Sequence, residues 1–161
     1  MKTVFTLSSL LLASALLLTG HGIQITLLPL KAAQIGLSDT IIGFTGSAYF
    51  LGFVVGCFTV PQMIGRVGHI RAFAVLTSII VSALLSMQLF EAWPLWALAR
   101  AAIGFMMCGL YTIIESWLND QSTEATRGRV LASYTLITLL SMALGQFLLA
   151  QLSIQSATPF I

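Results

Sequence analysis

Charge is what this sequence has least of. Only 7% of its 161 residues are Asp, Glu, Lys or Arg, against a hydrophobic share of 58% and a mean hydropathy of +0.99. A water-soluble domain carries about 25% charged residues. So few charges cannot cover a soluble globular surface, which excludes the soluble enzyme classes. The net charge of +2 is too small and too thinly spread to attract a nucleic acid. Cysteine is scarce as well. Cys57 and Cys108 both lie in apolar runs, so neither a disulfide framework nor a thiolate metal site is expected. The two histidines, His21 and His69, have no carboxylate or cysteine companion at ligand spacing, and no metal or cofactor is expected. There is no HExxH pair, no GxSxG elbow, no P-loop and no pair of carboxylates within one helix. An intramembrane enzyme is therefore not expected either.

What the chain does have is long apolar runs. A helix needs about 20 mostly apolar residues to cross the hydrocarbon. Five stretches qualify, at residues 4–30, 40–60, 72–90, 94–118 and 130–152. The expected fold is all-α, a polytopic bundle of transmembrane helices in a lipid bilayer. Ser38 and Asp39 can cap the second helix, and Pro94 suits the first turn of the fourth. Trp93 and Trp96 fit one membrane interface and Trp117 the other.

Alternating the connections puts Lys2, Arg66, Arg71, Arg127 and Arg129 on one side and only Lys31 on the other. The positive-inside rule then places the amino terminus and the 61–71 and 119–129 loops in the cytoplasm. A cleaved signal peptide competes for the start of the chain. Its apolar core would be about 7–15 residues, whereas this run passes Gly20-His21-Gly22 and continues to Leu30. The odd number of spans and the ending at Thr158-Pro159-Phe160-Ile161 lead to the expectation of a truncated reading frame.

Polar groups inside the spans demand an explanation. An arginine at mid-helix costs about 2.5–3.5 kcal/mol on insertion scales, and Arg100 lies in the fourth helix, near its outer end. Glu115 lies near the inner end, fifteen residues or roughly 22 Å away, too far to pair with it. Arg100, Gly104, Met107, Tyr111 and Glu115 share one broad face, which should look into protein or a watery cavity. Arg100 is read either as snorkelling to the headgroups or as a buried functional group. Glu115 is either a wet helix end or functional. His21, with Gln24 three residues on, can relay protons or bind substrate, or can make a hydrogen bond between helices. Gly52 and Gly56, after Gly43, Gly46, Ser47 and Ala48, mark a close-packed helix face.

The stretch Ile64-Gly65-Arg66-Val67-Gly68-His69-Ile70-Arg71 resembles the loop signature of the major facilitator superfamily, G-x-x-x-D-R-x-G-R-[KR]. Arg66 and Gly68 agree with it. Pro61, Gly65 and His69 replace the first glycine, the aspartate and the second arginine, and Arg71 stands one position beyond the basic pair. In the fourth helix Arg100 and Gly104 match the superfamily's R-x-x-Q-G, with Ile103 in the glutamine's place. Ser47-Ala48-Tyr49-Phe50, Glu115-Ser116, Arg127-Gly128-Arg129, Leu131-Ala132-Ser133-Tyr134 and Leu144-Gly145-Gln146 narrow the resemblance to the YcaD-like branch. The G-x-x-x-G-P signature of drug exporters is missing around Gly145, against drug efflux.

The resemblance implies two six-helix halves, of which residues 1–161 would be five helices of the amino-terminal one, with the carboxyl-terminal half as the missing partner. It implies a secondary active transporter of a small solute, proton-coupled, working by alternating access in a bacterial inner membrane. His21, Gln24, Arg100 and Tyr111 would contact substrate or protons at a central cavity. Arg66, Gly68 and Arg71 would form a cytoplasmic gate, with Glu115 replacing the lost aspartate. A small polytopic protein or subunit without transport, held by glycine-rich packing, is the rival reading.

Overall fold

The computed structural model describes residues 2–151, with side chains from Ser8 onward. Residues 152–161, where the fifth span was expected to end and where Thr158–Ile161 fall, lie outside the described residues, as does the Lys2 side chain. Five helices follow one another: α1 (Lys2–Gln34), α2 (Asp39–Val67), α3 (His69–Leu89), α4 (Trp93–Asp120) and α5 (Arg127–Gln151). Among the described residues all five, α1 from Ser8 onward, are long and apolar enough to cross a membrane. All-α architecture is thus as the hydropathy pattern predicts.

The boundaries follow local chemistry. Ser38 Oγ accepts the Ile41 N–H at 3.4 Å and caps α2, and Asp39 stands in the first turn. Pro94 occupies the first turn of α4. The expected 61–71 loop is a correction, because α2 runs through Pro61 to Val67 and α3 begins at His69. A proline removes one backbone donor, and a helix with an apolar turn beyond it tolerates that loss. Gly68 alone separates the two helices, at φ 81° and ψ 157°, and its N–H donates to Ile64 O at 3.0 Å. That backbone region is nearly closed to residues with a Cβ. Gly68→Val should therefore destabilise the protein by about 1–3 kcal/mol, read as a lower melting temperature in detergent.

Trp96 packs against protein. Its ring is only 2% exposed and its indole N–H donates to Phe90 O at 2.9 Å. Trp93 is exposed and meets Phe44 edge-on at 6.2 Å between ring centroids.

The chain divides into two compact units. The first holds α1 up to Leu30, the last turns of α4 from Ile114, and α5. The second runs from Lys31 to Ile113 and holds α2, α3 and most of α4. Lipid offers no hydrophobic force between helices, so small residues that admit close backbone packing decide where helices cross. In the first unit a methyl at Gly22 would strike the Met142 backbone, and one at Gly145 would strike the Thr19 carbonyl. In the second, Gly52 lies against Ala101 and Gly104 against the Tyr49 carbonyl. Each crossing is reciprocal: every glycine sits three residues after the carbonyl that the partner helix's glycine meets. By contrast Gly43 and Gly46 have nothing within 4 Å.

One turn beyond the second crossing, Gly56 admits Cys108, and Cys57 Sγ lies 3.3 Å from Cys108 Sγ. Both thiols are free. A disulfide needs the sulfurs at about 2.05 Å, a small approach between helices already in contact. Diazenedicarboxamide should therefore oxidise the pair, taking two hydrogens and becoming the hydrazine. Maleimide titration of the denatured protein should then count two thiols fewer than before oxidation, and Cys57→Ser should lose none. An unchanged count in the wild type would contradict the α2–α4 crossing.

Candidate functional site

The buried face of α2 carries Thr45, Tyr49, Gly52, Gly56, Val60 and Ile64, steps of three and four residues. On α4, Arg100 precedes Gly104 by four residues, about one turn. Because Gly52 and Gly104 bring the two backbones together, the turn before each crossing is close as well. Tyr49 and Arg100 occupy that level. The Arg100 guanidinium carbon lies 4.8 Å from the centroid of the Tyr49 ring, and the residue is 8% exposed. A cation over an aromatic face is attracted by the ring quadrupole, about 0.5–2 kcal/mol depending on desolvation. Nη1 of Arg100 is buried without a hydrogen-bond partner among the described residues.

A run of rings leads inward from this contact. Tyr49 meets Phe53 at 6.3 Å between centroids, and Phe53 meets Tyr111 at 6.3 Å. Arg100 and Tyr111, expected to share one face of α4, are thus joined through residues of α2. Tyr49 and Phe53 were absent from the sequence-derived site. Their i, i+4 spacing beside Gly52 was visible, but nothing in one sequence says which helix faces them.

His21 and Gln24 belong to the first unit. His21 is 4% exposed, and α1 passes through Gly20-His21-Gly22 without a break. Gln24 Oε1 is buried with no hydrogen-bond partner among the described residues. Of the expected gating residues, Arg66 lies in the last turn of α2, Gly68 is the break and Arg71 lies in the first turn of α3; all three are exposed. Glu115 is exposed too, in the first unit. No cluster of three or more His, Cys, Asp or Glu side chains able to hold a metal occurs among the described residues.

Residues 10–160 match the profile of the Major Facilitator Superfamily. This chain belongs to that family. It is therefore a multi-pass membrane protein of a family of transporters, not of enzymes. It is similar to the "Uncharacterized MFS-type transporter YcaD" of Escherichia coli O45:K1 (strain S88 / ExPEC), with 29% identity over 163 residues. The YcaD protein of Escherichia coli O81 (strain ED1a) matches to the same degree. Each alignment covers 99% of this chain and 43% of the relative, so the chain spans less than half the length of these transporters. No solved structure matches it. Within the superfamily's R-x-x-Q-G signature, the geometry gives the glycine position a reason here: Gly104 lets α2 approach closely enough for Tyr49 to reach Arg100.

Proposed function

We propose that this chain is the amino-terminal part of a secondary active transporter of a small solute, proton-coupled and working by alternating access. The observation that carries the reading is a buried arginine, Arg100, held over Tyr49 inside a membrane span of a transporter-family chain. A charge placed in a span is costly, and such residues mark ion and substrate pathways. The membrane is a bacterial inner membrane, with the amino terminus cytoplasmic, as the arginines near the α2–α3 and α4–α5 connections favour. Alternating access is then the rocking of one half-transporter against the other about a site near the midplane.

Arginine does not release its proton in proteins, so Arg100 serves as a fixed charge and the proton travels elsewhere. His21 is the candidate carrier, because imidazole alone among side chains titrates near neutral pH without perturbation. Gln24 and Tyr111 supply hydrogen-bonding groups for the solute. Arg66, Gly68, Arg71 and Glu115 are assigned to cytoplasmic gating.

The test is coupled flux. The intact protein in proteoliposomes should move solute down an imposed pH gradient, and Arg100→Ala should fall to the level of empty vesicles. Unchanged coupled flux in that variant would remove Arg100 from the mechanism.

A further inference from the structure

The Arg100 guanidinium stands over an aromatic ring, its Cζ 4.8 Å from the centroid of Tyr49. Its N–H donors lie in the guanidinium plane. One of them, on Nη1, is buried and has no partner among the described residues. No carboxylate stands ready to fill the gap. Residues 40–90 and 92–113 contain neither Asp nor Glu. The unit's two acids, Asp39 and Glu91, are exposed, in the first turn of α2 and in the connection before α4. The cation therefore sits in a span with an aromatic support and no counter-ion from its own unit. A buried charge of this kind calls for an opposite one.

We infer that Arg100 binds the anionic group of the transported solute, a carboxylate, through the N–H groups of the guanidinium that stands over Tyr49. This rests on the transporter reading given above. The charge count favours a monoanion over a phosphate dianion. Arg100 is the only cation on α4, and the cation of α2, Arg66, is seventeen residues from Tyr49, roughly 25 Å along the helix. A guanidinium offers two parallel N–H donors that match the two oxygens of a carboxylate. Binding it balances the buried guanidinium charge within the span. Tyr49 is a positioning residue here. Its ring supports the guanidinium, and its backbone is itself fixed against Gly104.

The experiment measures melting of the purified intact protein in detergent at constant ionic strength. The probes are acetate, lactate, benzoate and inorganic phosphate, beside acetamide, lactamide and benzamide. At least one monocarboxylate should raise the melting temperature while its amide does not, and phosphate should act more weakly. In Arg100→Gln the concentration of acid needed should rise roughly tenfold to a hundredfold, the worth of a charge-assisted hydrogen bond. Arg100→Lys keeps the charge without the fork and should fall between. Tyr49→Leu removes the ring and should lose much of the discrimination between acid and amide. Equal responses to acid and amide, no response to any acid, or a wild-type response from Arg100→Gln would each overturn the site. The transporter reading fails separately. Acids that bind but are never carried into proteoliposomes would sink it and leave the anion site standing. Gradient-driven flux of a neutral solute, undiminished in Arg100→Gln, would do the reverse.

Discussion

Gly104→Leu should destabilise the protein by about 3 kcal/mol or more, the upper end of what overpacking costs. Most overpacked sites relax by rotating a neighbouring side chain. Here the neighbour is backbone: a Cβ at Gly104 would lie on the Tyr49 carbonyl, with Phe53 N at 3.1 Å. Neither helix can yield without pulling the reciprocal contact of Gly52 on Ala101 apart. Helix propensity works the other way, since leucine gains nearly 1 kcal/mol over glycine inside a helix. The clash exceeds that gain several-fold, so the net sign is clear. Gly43→Leu is the control, an exposed position of the partner helix α2 with nothing within 4 Å, and it should melt at or slightly above the wild-type temperature. Equal melting of the two variants would mean that α2 and α4 do not cross at these glycines.

The second large effect has the opposite sign. Arg100→Met should raise the melting temperature by a few degrees. An arginine costs about 2.5–3.5 kcal/mol at the centre of a span, and less towards its end, where Arg100 stands. The Tyr49 contact returns about 0.5–2 kcal/mol, and no carboxylate of its own unit returns more. Methionine has a flexible apolar chain that fills irregular gaps and meets aromatic rings favourably, so the space beside Tyr49 stays packed. Removing the charge should thus leave a net gain of about 1 kcal/mol, or roughly 2–4 °C for a chain of this size. Stability held below its optimum at one residue is what a functional site imposes.

Much of this was legible in the sequence because the bilayer reads length and polarity so strictly. Five apolar runs gave five helices, and the insertion cost alone singled out Arg100 before its surroundings were known. Capping chemistry placed the start of α2 at Ser38. The reading went wrong where local and tertiary terms disagree. Pro61 is a strong local stop signal, yet α2 continues for six residues beyond it, so a loop was expected where there is a single glycine. Trp96 was read from its amphipathic ring alone, which does not reveal that its N–H is satisfied by Phe90 O and that the ring packs against protein. Cys57 and Cys108 are fifty-one positions apart, and only the α2–α4 crossing reveals them as neighbours. Tyr49 was visible as part of a family pattern but not as the partner of Arg100, because a cation–aromatic contact between helices leaves no spacing to read. Gly52 and Gly56 announced close packing correctly without naming what they pack on.

The most direct test pairs two readings on one preparation: melting temperature and gradient-driven flux for wild type and Arg100→Met. A charge kept for transport predicts that the variant melts higher and carries nothing above empty vesicles. A variant that melts lower, or one that transports as well as wild type, would contradict the account.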